Sequence, residues 1–542
     1  MKILLAQAHP RVGNLNYNFN LISNYYQQAI SCKADICLIP ELITIGYPAE
    51  DLILFPEFLK DLEHLSAKLV TEIKNTALLL PTIISENQKI FNGVIAIQNG
   101  KIIGKSTKKH LPNYGVFDEK RYFSEGFPQI IEINGVKIGV PICEDIWYAD
   151  ICSDLTSKGA QLLLVPNASP YEINKFDQRL ELVKQRFQEN KIPIIYCNQV
   201  LAQDGLIFDG RSFAYDGNLR FVLDIFREDT LEFHFDNGKV IVNKPTQNKN
   251  SVEIALQQSV KMEDEIYGAM VFGLRDYVLN NGFNSVLLGL SGGIDSALTA
   301  MIAADSFGSE NVLAVMMPSK FTSKESLIDA ELIIKNIGIN YQIIPIDDML
   351  SAAENSLTNL PTLAHQNLQA RLRGVILMSL SNSNNQLLIT TGNKSEYATG
   401  YATIYGDMCG AFNPIKDIYK TEIYKIARFR NNNTPLSINI KTNITNAIPE
   451  RVFTKAPTAE LSFNQKDSDS LPEYRLLDKV LKLHIEQKLS HNEIVRLGFD
   501  DSVVKKVISL VRGSEFKRRQ SAPGVKISSC NFEKDRRYPI TT

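Results

Sequence analysis

Short apolar runs separated by helical patterns mark the first 240 residues: Ile3 to Ala8, Ile36 to Ile39, Leu78 to Ile84, Val94 to Ile97, Lys137 to Val140, Leu162 to Val165 and Ile192 to Cys197. Runs of this length, alternating with amphipathic stretches, predict layered α/β structure. Between Asn243 and Ser251 the chain turns polar and loses its period, which predicts a domain boundary. The expected division is a first domain over 1–242, a linker over 243–262 and a second domain over 263–542. Past the boundary the pattern predicts helix Glu263 to Asn280, strand Ser285 to Leu290, helix Ser296 to Phe307, strand Val312 to Met316, helix Ser323 to Ile337 and strand Gln342 to Pro345. Consecutive βαβ units of this kind imply a doubly wound parallel sheet with its ligand site at the carboxyl ends of the strands. The Asn- and Ser-rich stretches 381–386 and 431–434 read as surface connections.

At the first of those strand ends stands Gly289-Leu290-Ser291-Gly292-Gly293-Ile294-Asp295-Ser296. Two adjacent glycines let the backbone approach a ligand closely, and the amides opening the next helix favour an anion. A kinase-type P-loop would need a Lys after its glycines, and a dinucleotide fold would need G-x-G-x-x-G. Neither is present. The octet resembles the loop of the ATP pyrophosphatase family, which implies that the β and γ phosphates of ATP are held while an acceptor oxygen attacks the α phosphate.

In the first domain, Cys143 follows a strand within Val140-Pro141-Ile142-Cys143-Glu144-Asp145. A buried cysteine is usually a small hydrophobe. A thiol at a strand end beside a helix start is placed to be depressed in pKa, and to act it needs a base and a cation. Pro40-Glu41 and Lys108-Lys109-His110-Leu111-Pro112 offer both. In the order Glu, Lys, Cys these segments resemble the nitrilase superfamily over roughly residues 1–230. The resemblance implies an αββα sandwich that hydrolyses a C–N bond through a thioester, with Cys143 as nucleophile, Glu41 as base and Lys108 as oxyanion stabiliser. It further implies Tyr114, Ser169 and Lys175 as glutamine contacts.

Downstream lie Gln366 to Arg373, Thr390 to Glu396, Tyr405 to Met408, Pro414 to Asp417, Lys455 to Leu461 and Glu515 to Gln520. In this order, behind a nitrilase-like domain, they resemble the glutamine-dependent NAD synthetase family over essentially the whole chain. That resemblance implies ATP contacts at Gly289 to Ser296, Thr391, Lys420 and Thr458, and deamido-NAD contacts at Asn367, Arg371, Glu396 and Lys517. Asp295 and Glu396 are the implied Mg²⁺ ligands, hard oxygens that bridge to phosphates. Compact ammonia-dependent relatives carry a Lys where this chain has Ile404. The implied reaction passes ammonia from glutamine to an adenylated carboxylate along an enclosed path, since free ammonia would become ammonium in bulk water. A homo-oligomer is implied as well.

Composition narrows the alternatives. Of 542 residues, 44% are hydrophobic and 22% charged, and the net charge of -2 gives no push toward nucleic acid or membrane. The apolar runs are too short to span a bilayer. The basic clusters Lys517-Arg518-Arg519 and Arg536-Arg537 read as solvated, or in the case of Lys517 as a dinucleotide contact. Seven scattered cysteines without C-x-x-C spacing suit a reducing cytoplasm. Two other readings stand beside this one. GMP and asparagine synthetases use different glutaminase modules, the latter with a cysteine directly after the initiator Met, whereas residue 2 here is Lys. A non-catalytic sensor of ATP and glutamine would be free to lose Glu41, Lys108, Cys143, Asp295 and Glu396, all of which are intact.

Overall fold

The computed structural model describes residues 1–243, 260–357, 359–463 and 465–541. Most of the expected linker lies outside the described residues. The chain forms two compact units, one of Met1–Gln203 with Ile207–Ser259 and one of Asp204–Leu206 with Val260–Thr542.

In the first unit the apolar runs become strands buried on both faces, as for Lys2–Gln7 and Leu162–Asn167. Seven strands form one sheet in the order Lys239–Asn243, Asp229–Asp236, Lys2–Gln7, Ile36–Leu38, Ala77–Glu86, Lys89–Gln98 and Lys101–Thr107. Six form a second in the order Leu219–Val222, Phe213–Tyr215, Ile194–Asn198, Leu162–Asn167, Val136–Gly139 and Ile130–Ile133. Ile3, Leu5, Ile36, Leu38, Leu79 and Ala96 of the first pack against Ile131, Ile138, Leu162, Leu164, Ile195 and Cys197 of the second. The next residues along the second sheet, Leu163, Val165, Ile194 and Tyr196, face the other way onto Ile151, Leu155, Leu182 and Val183 of helices Ala149–Ser157 and Lys175–Asn190. Helices Leu15–Ser31 and Pro56–Glu72 cover the first sheet. This is the expected αββα sandwich.

The second unit holds four parallel strands in the order Asn340–Ile343, Val312–Met316, Val286–Gly289 and Leu387–Leu388. The strand order reverses beside Val286–Gly289, so its carboxyl end is the crevice of a doubly wound sheet. Helix Ile294–Phe307 is buried on nearly every side, as its continuous run of small and apolar residues requires. On the opposite face, Leu287, Val315 and Leu388 meet Ile376 and Leu377 of helix Thr362–Asn384. Helices Tyr474–Ile485, His491–Arg496 and Asp501–Gly513 build a separate apolar cluster against Tyr397, Met408 and Phe532.

Three expectations are corrected. The strand placed at Gln342 to Pro345 runs over Asn340–Ile343, because pairing with Val312–Met316 begins at Asn340 and Pro345 has no N–H to extend it. The stretch 381–386 is helical through Asn384, with Ser383 Oγ donating to Ser379 O at 2.8 Å, and Asn385 at φ 51° ends it. The stretch 431–434 begins inside helix Lys420–Asn432, where buried Asn431 donates to Ile448 O at 3.1 Å and accepts from Ile448 N at 2.8 Å. Among the described residues no helix is long and apolar enough to cross a membrane, and the seven cysteines are unpaired.

Candidate functional sites

Strand ends of both sheets of the first unit deliver the thiol and its partners. Glu41 follows strand Ile36–Leu38, Lys108 follows Lys101–Thr107, and Cys143 opens the 3-10 turn Cys143–Trp147 beyond Val136–Gly139. Cys143 adopts φ 44°, a left-handed conformation uncommon for a residue with a Cβ. Lys108 Nζ donates to Glu41 Oε1 and to Glu119 Oε1, each at 2.8 Å, and all three side chains are buried. Asn92 Nδ2 donates to Glu41 Oε1 at 2.7 Å, Asn92 O accepts from Lys108 N at 2.9 Å, and Ala168 N donates to Glu41 Oε2 at 2.8 Å. Glu41 and Lys108 therefore have fixed positions, and the charges of both act on the Cys143 thiol.

The electrostatics differ from the sequence expectation at the thiol. Burial pushes the Cys143 thiol well above its usual value, the Glu41 charge adds to this, and Lys108 only opposes it. A five-residue 3-10 turn supplies too small a dipole to reverse burial. Burial and Glu41 thus favour the protonated thiol, and a nucleophilic role for it would require a base to take its proton. Burial works against the Lys108 ammonium too, but Glu119 and Glu41 overcome it and hold the ammonium protonated.

Glu119 is the principal residue that sequence reasoning missed. It sits in Asp118-Glu119-Lys120-Arg121, which reads as a solvated charge run. Instead it is buried, accepting from Lys108 and, at 2.8 Å, from Tyr47 OH. Burial raises its carboxyl to about 7, against the lowering pull of Lys108. Below that value Glu119 loses its charge, and Lys108 loses one of its two counterions. Glutamine-dependent kcat/KM is therefore expected to fall on the acid side with a limb near pH 7, and Glu119→Gln to remove that limb. Ammonium-dependent activity, assayed in parallel, should show no difference between the two proteins. A limb that survives in Glu119→Gln belongs to another group. Asn92 left a signal, a polar residue inside an otherwise apolar strand.

Asp145 ties the two strand ends together. Its Oδ1 accepts from Lys109 N at 3.0 Å and His110 N at 2.8 Å, and its Oδ2 accepts from Ile142 N at 3.1 Å. Of the expected glutamine contacts, Tyr114 OH donates to Glu144 Oε2 at 3.0 Å. Lys175, the first residue of its helix, lies with Nζ 4.9 Å from the Trp147 ring centroid and also acts on Glu144. Ser169 is buried beside Ala168, its Oγ accepting from Arg179 Nε at 3.0 Å. The structure thus brings Tyr114 and Lys175 to one carboxylate, Glu144, which the sequence reading quoted without a role.

In the second unit the octet closes on itself. Gly293 N donates to Ser291 Oγ at 3.3 Å, Ser291 N donates to Ser296 Oγ at 3.3 Å, and Ser296 Oγ donates to Gly293 O at 3.1 Å. Gly292 sits at φ 81°, and a Cβ there would lie 2.3 Å from Ser326 O, so both its conformation and its neighbour demand glycine. A cavity of about 320 Å³ opens over the loop, lined by Gly289 through Ser296 and also by Thr391, Glu396, Lys420 and Thr458. Every residue expected to contact ATP lies on its wall.

Lys420 Nζ bonds Asp295 Oδ2 and lies 3.5 Å from Glu396 Oε1, while Asn393 Nδ2 donates to Asp295 Oδ1 at 3.0 Å. Burial raises Glu396 to about 8, countered by Lys420 and reinforced by the Asp295 charge. Two crowded carboxylates sharing one ammonium are a hard-oxygen pair that a divalent cation would relieve. Among the described residues no cluster of three or more His, Cys, Asp or Glu is set for a metal. Asp467, also missed from sequence, lines the same cavity and accepts from Tyr474 OH at 2.9 Å.

The residues expected to hold the dinucleotide gather at one segment beside the cavity. Lys517 Nζ donates to Gly400 O at 2.7 Å and Ala402 O at 2.9 Å, Arg371 Nε to Ile404 O at 3.2 Å, and Asn367 Oδ1 accepts from Thr403 Oγ1 at 2.9 Å. Glu396 faces the cavity itself.

Both parts of the chain match known families. Residues 2–239 match the carbon-nitrogen hydrolase family and residues 266–521 the NAD synthase family. The chain is similar to the glutamine-dependent NAD(+) synthetase of Acinetobacter baylyi, 42% identical over 99% of this chain and 98% of that one. It is similar to that of Aquifex aeolicus at 41% identity, covering 100% and 99%. Among solved structures, the glutamine-dependent NAD+ synthetase from Acinetobacter baumannii in complex with ADP matches with a TM-score of 0.77 and 39% identity, covering 99% of this chain and 98% of that one. The chain therefore belongs to the glutamine-dependent NAD(+) synthetase family.

Proposed function

We propose that this chain makes NAD by amidating deamido-NAD, with glutamine as nitrogen source and ATP as activator. The observation that carries the reading is the presence of both chemistries in one chain: a buried Glu41–Lys108–Cys143 constellation and a phosphate loop whose cavity wall holds Asp295, Glu396 and Lys420.

In the first site the Cys143 sulfur attacks the glutamine side-chain carbonyl while Glu41 accepts the thiol proton, and Lys108 faces the developing oxyanion. The proton passes to the leaving nitrogen, ammonia departs, and water activated by Glu41 hydrolyses the thioester to glutamate. Glu144 and Lys175 suit the α-ammonium and α-carboxylate of the substrate, with Tyr114 and Ser169 completing the pocket.

In the second site a carboxylate oxygen of deamido-NAD attacks the α phosphorus of ATP. The bond from that phosphorus to its β-bridging oxygen breaks, and the electron pair leaves on pyrophosphate. Ammonia then adds to the acyl adenylate, loses a proton, and AMP departs on its own oxygen. The octet amides and Lys420 hold the phosphates, with Thr391 and Thr458 on the nucleotide. Asn367, Arg371, Glu396 and Lys517 serve the dinucleotide. Asp295 and Glu396 would hold Mg²⁺, which when bound neutralises phosphate charge. The same reading makes the enzyme a cytoplasmic homo-oligomer, supported by its unpaired cysteines and by the need to couple two chemistries.

The test is to incubate the protein with ATP, Mg²⁺ and deamido-NAD and either glutamine or ammonium. Equimolar NAD, AMP and pyrophosphate are expected from both nitrogen sources. Formation of ADP instead, or failure with both sources in folded protein, overturns the reading.

A further inference from the structure

Pyrophosphate leaves the second site with several negative charges, and the expected ATP contacts include only one cation, Lys420. That ammonium is committed to Asp295 and Glu396. Two other described cations line the cavity. Arg373 Nε donates to Met317 O at 3.0 Å, past the end of strand Val312–Met316. Lys455 lines the cavity too, in the segment that carries Thr458.

The surroundings of Lys455 bring it to the phosphate loop. Its Nζ donates to Ser323 Oγ at 3.2 Å, to Ser326 Oγ and to Glu460 Oε1 at 2.9 Å. Ser326 is the residue whose carbonyl oxygen abuts Gly292. The ammonium is thus one residue removed from the centre of the octet. Burial raises the Glu460 carboxyl, and the hydrogen bond from Lys455, ahead of those from Ser326 and Ser323, more than offsets it. Its carboxylate also accepts from Ser323 N at 3.3 Å, Ser323 Oγ at 2.7 Å and Ser326 Oγ at 2.7 Å. When Lys455 turns toward a phosphate, Ser323 and Ser326 still bond the half-buried Glu460 carboxylate, and the flexible Lys stem suits a point-charge contact of that kind.

We propose that Lys455 is a second phosphate-binding cation of the synthetase site, neutralising the β and γ phosphates as they leave as pyrophosphate, with Glu460, Ser323 and Ser326 as its positioning residues. The inference rests on the synthetase reading above. It adds a residue that neither the octet nor the expected ATP contacts include.

Lys455→Met keeps most of the apolar stem and removes the charge. Its KM for ATP and its inhibition constant for pyrophosphate are each expected to rise about tenfold or more, by the same factor with glutamine or ammonium. Lys455→Arg is expected to recover most of the loss. A role confined to holding the segment in place would instead leave pyrophosphate inhibition unchanged. Wild-type ATP and pyrophosphate constants in Lys455→Met overturn the proposal, as does a loss confined to glutamine. Lys455→Gln, with its melting profile, serves if the Met variant does not fold. Failure of the wild-type protein to form NAD would sink the synthetase reading itself, whereas an active wild type with an indifferent Lys455→Met sinks only this assignment.

Discussion

Cys143→Ala is expected to reduce glutamine-dependent NAD formation by roughly a thousandfold or more and to leave the ammonium-dependent rate within about twofold of wild type. The reason lies in the buried pairings. Without the sulfur there is no thioester, and no neighbouring group in the constellation replaces it, because Glu41 and Lys108 are bound to each other and to Asn92, Ala168 and Glu119. The fold should be unaffected, since alanine tolerates this small buried position almost as well. The measurement is NAD formed per minute from each nitrogen source, with glutamate release as a third channel. Equal losses from glutamine and ammonium would show that the thiol serves the synthetase site, contrary to the two-site reading.

Lys420→Met is expected to act in the opposite pattern, lowering NAD formation about a hundredfold or more with both nitrogen sources. Lys420 is the cation between Asp295 and Glu396, and Glu396 already sits at about 8 with it present. Removing it takes the shared counterion from two half-buried carboxyl groups, of which Glu396, at about 8, is already largely protonated near neutral pH. Without the ammonium the Glu396 carboxyl is pushed further up and the pair holds its proton more tightly. Glutamate release measured without ATP should stay at the wild-type level, since Lys420 lies in the other unit. A variant that still forms NAD from ammonium at the wild-type rate would remove Lys420 from the chemistry.

The two sites were legible to different degrees. The octet could be read because its working parts are consecutive: glycine where φ is positive, hydroxyls that close the loop, and a helix directly behind. Glu41 and Cys143 could be read because each follows an apolar run that marks a strand end, and Lys108 because of the Leu-Pro that stands three residues on. Glu119 could not, because its role is set by Lys108 and Tyr47, brought to it by tertiary folding. Asp467 was hidden for the same reason, its partners Tyr474 and the Asp295 group lying far from any local pattern. The strand at 340–343 was misplaced by two residues because an edge strand needs no continuous apolar run, and all four of its residues are exposed. The thiol's acidity was misjudged because a helix start is visible in sequence and the depth of burial is not.

Asp145 carries a consequence for how this protein fails. Its carboxylate joins Lys109 and His110, at the end of one sheet, to Ile142 beyond the end of the other. One carboxylate thereby ties the backbone next to Lys108 to the backbone next to Cys143. A displacement of about an ångström in a reacting geometry costs on the order of a hundredfold in rate. Glutamine turnover is then a strain gauge for the sandwich, sensitive to a loosening between its layers too slight to melt a single strand.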